Sequence, residues 1–368
     1  MVPSPLVLII ASLVEPNVDR LIPLLEKRRV RWFRLNTELF PLVSRGSIRL
    51  GRVDAGHLET LRKSVSLEEV SCVWNRRHAR PVLPPGLSPF EERFVENETA
   101  SFLLAVYEQL GGLWVNDWRA ERDASSKSLQ LRVAREEGFR IPKTLMTNDP
   151  AAVRQFAKEV HGPILFKPLG GTAPTTMDYT REIKRWLGRR APKLASPRAD
   201  RLNDAPVAFS QILSREQMSR IENVRSCPAM FQEYIAKRHE LRVTVVGPDI
   251  FAAEIDSQAD DSTRVDFRRF ALSKRIPKHR PATLRRTLSE RILRVMRRLD
   301  LEFGCFDIII KPDGEEVFLE VNPSGQWHWV QRYTGLPIDD ALAGMLARRR
   351  RSDFRPSQAH QRGDRDRK

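Results

Sequence analysis

The 368-residue sequence has little cysteine and no long hydrophobic run. Its three cysteines, Cys72, Cys227 and Cys305, are odd in number and far apart, so they give neither a disulfide framework nor the spacing of a zinc site. This predicts a reducing compartment, and we expect a cytoplasmic location. The apolar run at residues 6–10 is short and has no basic segment before it, which predicts a buried first strand rather than a signal peptide or a membrane span.

The sequence also shows no internal repeat of fixed period and no Ser/His/Asp or Cys/His set typical of nucleophilic catalysis. Its formal net charge is +16. Part of this charge lies in residues 347–368, where eight arginines and one lysine face three aspartates among almost no apolar residues, which is typical of a disordered tail. The remaining positive charge favours an acidic partner, whether ATP, an acidic peptide or nucleic acid.

Hydrophobic residues make up 41% of the chain, and its length is enough for two or three globular domains. Apolar runs alternate with helical patterns over residues 1–115, which predicts a small α/β domain with a parallel sheet. Helices are expected at 17–27, 91–110, 124–137, 151–160 and 281–299, and strands at 6–10, 30–35, 70–74, 113–115, 141–146, 164–168, 230–235, 240–246 and 250–255. The basic run Arg76, Arg77, His78 and Arg80 follows a predicted strand, and it either holds an anionic group or forms a solvated rim.

Two apolar runs near the carboxyl end flank Asp313-Gly314, a dipeptide that favours a two-residue hairpin turn. With that turn, Asp307 lies opposite Glu320, and Asn322 lies one pleat further along the same face. The other face is expected to pair Phe306 with Val321, Ile308 with Leu319 and Ile310 with Val317. This register buries one face and gathers three oxygen-bearing side chains on the other.

Two carboxylates this close repel each other unless a cation or a proton lies between them. A small set of hard oxygen ligands with room for phosphates suits Mg²⁺. The alternative is a surface hairpin whose polar face is merely solvated. The sequence Asn322-Pro-Ser-Gly favours the ligand site, because Pro and Gly at a strand end leave backbone groups free to approach a ligand.

Two lysines and one further strand add candidate residues to the predicted ligand site. Lys167 lies within an apolar strand, where burial is costly without an anion, whereas Lys127 at the start of a predicted helix would by itself be a surface lysine. Gly170-Gly171-Thr172 could cradle a phosphate through backbone N–H groups, although it is not a Walker loop. Alternation along residues 240–246 places Glu240, Arg242 and Thr244 on one face.

The combination of Asp307, Glu320 and Asn322 within Leu-Glu-Val-Asn-Pro-Ser-Gly resembles the metal signature of ATP-grasp carboxylate–amine ligases. Within that superfamily the chain is most similar to the graspetide (microviridin-type) peptide ligases, which macrocyclise ribosomally made precursor peptides. The fragments at 33–38 and 73–77 also resemble the N-terminal domain of those ligases, although Asn75 stands where an aromatic residue is expected.

The resemblance implies roles for the candidate residues. It implies that Lys127 and Lys167 reach ATP phosphates and that Glu240 holds the ribose hydroxyls. It also implies that Arg242 faces the phosphates or an acyl phosphate, and that Arg268, in Asp266-Phe267-Arg268, orients the substrate carboxylate. The implied adenine-binding linker consists of Gln232, Glu233, Tyr234 and Ile235. Residues 181–201 are then a lid over the nucleotide, a docking surface for an acidic peptide, or a solvated insertion.

The implied fold is an α/β ATP-grasp fold. It has an N-terminal parallel α/β (pre-ATP-grasp) domain at 1–118, a central α+β subdomain at 119–212, a C-terminal antiparallel-sheet subdomain with the metal site at 213–346, and the basic tail at 347–368. The implied cofactors are ATP and Mg²⁺. The expected partner is a precursor peptide with a leader and an acidic core; the sequence leaves room for a homodimer and predicts no membrane association.

The implied function is ATP-dependent activation of Asp or Glu side chains as acyl phosphates, followed by formation of ω-ester or ω-amide macrocycles. Three alternatives remain at this point: a ligase of amino acids or protein tails, a nucleic-acid-binding protein, and a catalytically dead scaffold for the precursor. Nucleic-acid binding is disfavoured because carboxylates on a phosphate-binding face repel.

Overall fold

The computed structural model describes residues 5–52, 54–170, 209–272 and 275–348. The predictions for Gly171 and Thr172, for the basic stretch 181–201 and for the tail beyond residue 348 lie outside the described residues. In the four described ranges, no helix is long and apolar enough to cross a membrane.

The N-terminal part of the chain forms a four-stranded parallel sheet with two long helices. Its elements are β1 (Leu6–Ala11), α1 (Pro16–Lys27), β2 (Arg31–Asn36), β6 (Val70–Asn75), α2 (Pro89–Gln109) and β7 (Leu113–Val115). The strand order is β2-β1-β6-β7, and every pair is parallel. β1 is buried along its whole length, as expected for a central strand of a parallel sheet covered on both faces. The predicted parallel sheet is confirmed.

A small antiparallel sheet is inserted between β2 and β6, and the sequence analysis missed it. Its strands are β3 (Arg45–Arg49), β4 (Ala55–Glu59) and β5 (Ser64–Ser66), paired in that order. These strands have five residues or fewer; β3 buries none of its side chains, and β4 and β5 bury only single side chains between exposed or half-exposed ones, such as Leu58. Such a short, half-polar pattern is weak evidence for a strand when it is met in a sequence.

A second four-stranded sheet is antiparallel and follows two consecutive helices. The elements are α3 (Trp118–Ala124), α4 (Lys127–Glu136), β8 (Thr144–Thr147), α5 (Pro150–Val160), β9 (Ile164–Lys167), β10 (Gln211–Ile212), α6 (Arg215–Ser219) and β11 (Ala229–Glu233). The order is β10-β9-β11-β8. The single helix predicted at 124–137 is wrong, since α3 ends before Ser125 and α4 begins anew after Ser126, which is its N-cap. Serine favours such a position over a helix interior.

The third sheet has five antiparallel strands and carries the hairpin. The elements are β12 (His239–Val246), β13 (Asp249–Ile255), β14 (His279–Ala282), α7 (Arg286–Arg298), β15 (Phe303–Ile310), β16 (Glu316–Asn322), α8 (His328–Thr334) and α9 (Ile338–Arg348). The order is β14-β13-β12-β15-β16. The helix predicted at 281–299 is wrong at its start, because residues 279–282 form the edge strand β14, where Pro281 is tolerated without a backbone N–H.

Two hydrophobic cores place the hairpin within the molecule. One core packs Ile292 and Val295 of α7 against Phe306 and Phe318, so α7 lies behind the hairpin as predicted. The other core is shared between distant parts of the chain. It joins Val7, Ile9 and Leu21 of the N-terminal sheet and helix to residues that come after position 240, namely Val246, Phe303, Trp327, Val330 and Leu342.

Candidate active site

The hairpin of β15 and β16 places Asp307 directly opposite Glu320, as predicted. The turn, and the strand pairing between the turn and Asp307, differ from the prediction. Lys311 pairs with Glu315 around a three-residue loop, in which Gly314 has a positive φ of 87°. A bulge next to Asp307 then restores the register, since Ile308 faces Phe318 and Leu319 is the extra residue. The longer loop and the bulge each shift the register by one residue, and the two shifts cancel at Asp307.

Two of the three apolar pairs predicted for this hairpin are wrong, because they lie between the three-residue loop and the bulge, where the shift caused by the loop is not yet cancelled. Ile308 pairs with Phe318 and Ile310 with Glu316, whereas the pair of Phe306 and Val321 is confirmed. The bulge also changes which face the side chains occupy. Val317 and Leu319 pack with Ile309 and Ile235 in a small cluster at the cleft, so this face carries an apolar patch beside the carboxylates.

Asp307 is neutralised by an arginine on the neighbouring strand. In the ladder between β12 and β15, Arg242 is the direct partner of Asp307, and its Nη1 donates to both carboxylate oxygens at 3.0 Å. Both side chains are nearly buried, at 7% and 11% exposure. Burial raises the pKa of Asp307 to about 6, although the Arg242 charge opposes the shift.

Glu320 is neutralised by a lysine from a different part of the chain. Lys127, the first residue of α4, donates from Nζ to Glu320 Oε2 at 2.8 Å. Burial opposes ionisation of Glu320, but the adjacent Lys127 charge prevails and lowers the pKa of Glu320 to about 2. The two facing carboxylates thus have opposite pKa shifts, because burial prevails at Asp307, where the Glu320 charge also raises the pKa, whereas the Lys127 charge prevails at Glu320.

These residues fit a hard divalent cation by their donor types. Asn322 Nδ2 lies 3.4 Å from Asp307 Oδ2 and 3.4 Å from Glu320 Oε1, so the amide and both carboxylates converge on one point. Nowhere in the described ranges do three or more His, Cys, Asp or Glu side chains cluster, so the set consists of two carboxylates and one amide. Such a set leaves room for further oxygen ligands, as Mg²⁺ sites usually do. The amide would present its oxygen rather than its nitrogen to a cation.

Lys167 reaches the same cleft from the antiparallel sheet β10-β9-β11-β8. Its Nζ donates to Gln232 Oε1 at 2.6 Å, and Gln232 Nε2 donates to Thr144 Oγ1 at 3.0 Å. Burial lowers the pKa of Lys167 to about 8, with Glu320 opposing the shift. The lysine predicted to need an anion therefore has a neutral amide as its direct partner.

The predicted linker, residues 232–235, follows β11 along the edge of the cleft. Two of its backbone N–H groups are already used, because Glu233 N donates to Lys143 O and Tyr234 N donates to Pro163 O, each at 3.0 Å. For the Ile235 N–H, no partner is found among the described residues. This leaves Ile235 as the linker donor available to a ligand.

Glu240 has a buried partner that the sequence analysis missed. Lys237 Nζ donates to Glu240 Oε1 at 2.8 Å and to Val265 O at 3.1 Å, and the two charged side chains are only 2% and 6% exposed. Lys237 stands in a short connection next to Arg238 and His239, where the sequence gives no sign of burial.

Arg268 extends into the cleft from the connection after β13. Its Nε and Nη2 donate to the two oxygens of Asp266, and Asp266 also accepts from the backbone N–H groups of Ser210 and Arg268. Asp266 is almost buried while Arg268 is 47% exposed, so the carboxylate fixes the arginine with part of the guanidinium open to the cleft. Eleven of the twelve predicted site residues line this one cleft, and the twelfth, Arg242, contacts it through Asp307.

Residues 323–327, which follow β16 and are called the β16 loop below, are held closely. A Cβ added at Gly325 would lie 2.5 Å from Cys305 Cβ and 3.0 Å from Arg242 Nη2, so only glycine fits there. Asn116 uses all four of its hydrogen-bonding positions: Nδ2 donates to Phe303 O and Pro323 O, and Oδ1 accepts from the backbone N–H groups of Glu302 and Phe303. The sequence analysis missed Asn116, whose partners lie about 190 residues or more away.

Comparison with known proteins places this geometry in a family. A family model described as the MvdD pre-ATP grasp domain matches residues 6–122. The macrocyclase MdnB from Microcystis aeruginosa MRC is 30% identical, with a TM-score of 0.73, and the match covers 93% of this chain and 99% of MdnB. The chain belongs to the graspetide-type ATP-grasp maturases.

Two further solved structures agree with this assignment. MdnC from the same organism, bound with the precursor peptide MdnA, is 29% identical with a TM-score of 0.76, over 93% of this chain and 99% of MdnC. A RiPP-associated ATP-grasp ligase of Chryseobacterium gregarium, in complex with ADP and a leader and core peptide, is 25% identical with a TM-score of 0.77, over 94% of this chain and 98% of that ligase. A comparison with curated protein sequences finds no match.

The ATP-grasp fold predicted from the resemblance is therefore confirmed. In this graspetide-type ligase the matched range 6–122 contains the parallel sheet, the small sheet β3-β4-β5 and most of α3. The cleft lies outside that range, between the two antiparallel sheets. Arg76 and Glu121 lie within the range, and their contacts with the β16 loop connect the N-terminal unit to the cleft.

Proposed function

We propose that the protein is an ATP-dependent ligase that activates Asp or Glu side chains of a ribosomal precursor peptide as acyl phosphates and closes ω-ester or ω-amide macrocycles. The observation that carries this proposal is the convergence of Asp307, Glu320 and Asn322 with Lys127 and Lys167 in one cleft. Carboxylates and ammonium groups at this spacing suit a nucleotide triphosphate with its metal ion and are not expected at a surface that binds the nucleic-acid backbone.

The residues at the linker end of the cleft suit the nucleoside of ATP. The Ile235 N–H, for which the described part of the chain provides no partner, offers a donor to adenine, and Leu319 and Ile309 offer an apolar surface for the ring. Glu240 would accept hydrogen bonds from the ribose hydroxyls. Lys237 pairs with this buried carboxylate and leaves one of its oxygens, Oε2, open to the ribose.

The cationic end of the cleft suits the phosphates. Lys167 has a neutral partner and gains a phosphate oxygen at little cost, since only a hydrogen bond to Gln232 is exchanged. Lys127 would move from Glu320 to a phosphate oxygen, and Glu320 with Asp307 and Asn322 would then hold Mg²⁺. Bound Mg²⁺ supplies positive charge that offsets the negative charge on the transferred phosphoryl group.

The reaction would consist of two displacements. A carboxylate oxygen of the peptide attacks the γ-phosphorus of ATP, the bond to the β–γ bridging oxygen breaks, and ADP leaves. A Ser or Thr hydroxyl or a Lys amine of the same peptide then attacks the acyl carbon, the bond to phosphate breaks, and the proton of the nucleophile passes to phosphate or solvent. We assign Arg268 to orienting the peptide carboxylate and Arg242 to the phosphates or the acyl phosphate, because both guanidinium groups lie at the carboxylates of the cleft.

The partner proposed is a precursor peptide with a leader and an acidic core, which the net positive charge of the chain would attract. We also propose the division into units at 1–118, 119–212, 213–346 and 347–368, with a cytoplasmic location. β11, at residues 229–233, pairs with β8 and β9, so the second and third units share a sheet.

The test is mass spectrometry of a co-expressed candidate precursor, encoded beside the ligase and rich in Thr or Ser and Asp or Glu. With the wild type, the precursor is expected to lose about 18 Da per ring, the mass of one water released on condensation. The double variant Asp307→Asn, Glu320→Gln is expected to form no ring. Asp313→Asn is the matched control, because Asp313 lies in the exposed loop of the same hairpin and outside the cleft.

Ester and amide products are separated by mild base, which hydrolyses esters and leaves amides intact. Rings formed by the double variant would contradict the proposed metal site. An unchanged precursor, together with ATP consumption on free amino acids, would instead indicate a small-molecule ligase.

A further inference from the structure

The β16 loop directly follows Asn322 and turns beneath the cleft, yet several of its contacts come from the N-terminal unit. Arg76, just after β6, donates from Nη1 to Ser324 O at 2.6 Å and from Nη2 to Gly325 O at 3.2 Å. Two successive carbonyls of the loop are thus held by one guanidinium group. The fork of an arginine suits such a pair of acceptors, and the single ammonium of a lysine does not.

Burying the charged side chain of Arg76 costs desolvation free energy, and this cost needs an explanation. The Arg76 side chain is 1% exposed, and its Nε has no hydrogen-bond partner among the residues that the structure describes. The acidic group beside it, Glu15, lies 3.9 Å from Arg76 Nη2. Its guanidinium also lies over the ring of Trp327 at 4.8 Å. Burial lowers the pKa of Arg76 to about 10, so it stays charged at neutral pH. A buried charge with so weak an ion pair stabilises a fold little, because its desolvation offsets the attraction.

Two further side chains from the matched range 6–122 hold the same loop. Glu121 accepts from the Ser324 hydroxyl and from Asn75 Nδ2, and burial raises the pKa of Glu121. Asn17 Nδ2 donates to Gln326 Oε1. Together with Arg76, these contacts reach three successive residues of the loop from one side.

The other side of the loop contacts the site. Gln326 O accepts from Arg242 Nη2 at 3.0 Å, and the same guanidinium group holds Asp307. Asn322, the last residue of β16, leads into the loop, and its own O accepts from Gly325 N. The loop therefore lies between the anchors of the N-terminal unit and two of the candidate site residues, Arg242 and Asn322.

We propose that Arg76 is a positioning residue for the ligase reaction. It holds the carbonyls of Ser324 and Gly325, and so fixes Arg242 and Asn322 in their working geometry, with Glu121 as a second anchor. This inference rests on the proposed function for its kinetic part only, since the order of the loop can be measured without turnover. Misplacement of reacting groups by about 1 Å can cost about a hundredfold in rate.

The test compares Arg76→Met, Arg76→Lys and Glu121→Gln with Arg34→Met as the matched control. Arg34 is also a nearly buried arginine of the N-terminal sheet, and its Nη2 also donates to two successive carbonyls, Ser12 O and Leu13 O. Those carbonyls belong to the N-terminal unit itself. Methionine is close to arginine in length, and replacing a buried charge by an apolar side chain of similar size often leaves a protein folded.

The first readout is hydrogen–deuterium exchange in the full-length chain without nucleotide. Arg76→Met is expected to raise exchange of the amides at 324–327 by about tenfold or more through local opening of the loop, whereas Arg34→Met raises exchange near residues 12–14 only. Arg76→Lys keeps the charge but cannot hold both carbonyls well, so its exchange rate at 324–327 is expected to lie between those of wild type and Arg76→Met. Glu121→Gln keeps its shape and is expected to have a smaller effect in the same region.

The second readout is steady-state ring formation. Arg76→Met is expected to lower kcat by about tenfold to a hundredfold while the KM for ATP changes by less than about threefold, with Arg76→Lys partly restoring kcat and Arg34→Met close to wild type. Exchange at 324–327 that stays at the wild-type rate in Arg76→Met would overturn the inference, as would equal losses of kcat in Arg76→Met and Arg34→Met. If no variant and not even the wild type forms rings, the proposed function fails, while the exchange data still decide whether Arg76 orders the loop.

Discussion

Two sheets face each other across the cleft, and they supply its charged groups in different ways. The five-stranded sheet β14-β13-β12-β15-β16 provides Glu240, Arg242, Asp307, Glu320 and Asn322 from three adjacent strands. The opposite side provides Lys167 and Gln232 from the sheet β10-β9-β11-β8 and Lys127 from the start of α4. In the five-stranded sheet, the strand register fixes the spacing of the charged groups. On the opposite side of the cleft, their spacing depends on how separate elements pack against each other.

The difference shows in the pairing of the charges. Asp307 and Arg242 are ladder partners within one sheet, so their contact lasts as long as the sheet does. Lys127 reaches Glu320 across the cleft, and Lys167 rests on a neutral amide. An incoming anion would compete with weak partners on the lysine side and with a locked ion pair on the carboxylate side. We therefore expect substitutions to affect mainly stability on the carboxylate side and mainly ligand affinity on the lysine side.

The largest effect is expected from Arg242→Met, which leaves Asp307 buried without its cation. Breaking a buried pair in this way should lower the free energy of unfolding by about 3–5 kcal/mol. The double variant Arg242→Met, Asp307→Asn should recover most of that loss, and urea unfolding of both variants measures it. A double variant as unstable as the single one would show that the ion pair is not the cause.

A smaller loss is expected from Gly325→Ala. The new Cβ would lie 2.5 Å from Cys305 Cβ, and backbone or side-chain shifts to relieve the clash should cost about 2–3 kcal/mol. Gly344→Ala is the control, since Gly344 lies in α9 and no atom of the described residues comes within 4 Å of an added Cβ, and it should gain up to about 1 kcal/mol. Thermal unfolding of the two variants should therefore shift in opposite directions, and a shift in the same direction would contradict the close packing of the loop.

On the lysine side, Lys167→Met should stabilise the free protein and weaken ATP binding. At pH 7 the charged lysine is held where burial lowers its pKa, so its removal should gain about 1–2 kcal/mol after allowance for solvent screening. Because the folded pKa of about 8 lies below the ordinary value of 10.5, the unfolded chain binds the proton more tightly between those values. The stability of wild type relative to Lys167→Met should thus rise as the pH increases from 8 to 10.5.

The expected stability difference is checked by measuring the free energy of unfolding of wild type and Lys167→Met between pH 8 and pH 10.5. The expected loss of ATP affinity is checked by calorimetric titration at pH 7. A variant that is less stable than wild type at pH 7 would mean that the hydrogen bond to Gln232 outweighs the burial of the charge.

The smallest effect is expected from Gly314→Ala in the hairpin loop. Gly314 has a φ of 87°, and within the part of the chain that the structure describes no atom lies within 4 Å of an added Cβ, so the cost is backbone strain of about 1 kcal/mol. Ring formation should be unchanged, because the bulge next to Asp307 restores the register near the site. A fall in kcat with intact stability would show that the loop itself sets the geometry of the site.

The features that could be predicted from the sequence are those set by strand register, and the features that were missed depend on packing between distant parts of the chain. Alternation along β12 was enough to place Glu240 and Arg242 on one face, and the pairing of β15 with β16 was enough to place Asp307, Glu320 and Asn322 on one face, because a side-chain period of two is a local property. The pairing of β12 with β15, which joins the two sets, was not predicted. Even in the hairpin, the pairing of Asp307 with Glu320 was obtained through two shifts that cancel. Apolar residues at both Val317 and Leu319 do not reveal in advance where a bulge occurs.

The contacts that sequence analysis missed join positions far apart in the chain. Arg76 and Ser324 are 248 residues apart, and Asn116 and Pro323 are 207 apart. Lys237 was missed for another reason, since its burial is decided by the backbone at Val265 and by Glu240 rather than by its own neighbours in sequence. The apolar neighbours of Lys167 indicated an anionic partner, but its role at ATP phosphates came from family resemblance. The role of Lys127 came from the resemblance alone, because a lysine at a helix start carries no local sign of its ligand.

The shared hydrophobic core has a consequence for dividing this protein. Val7, Ile9 and Leu21 are packed in one cluster with Phe303, Trp327 and Leu342, and β1 has no exposed residue of its own. A fragment ending near residue 122 would carry the whole matched family domain and still expose one side of its sheet to water. We therefore expect the range matched by the family model to be only part of a cooperative folding unit. We expect the fragment to aggregate alone and to become soluble when the remainder of the chain is supplied in trans.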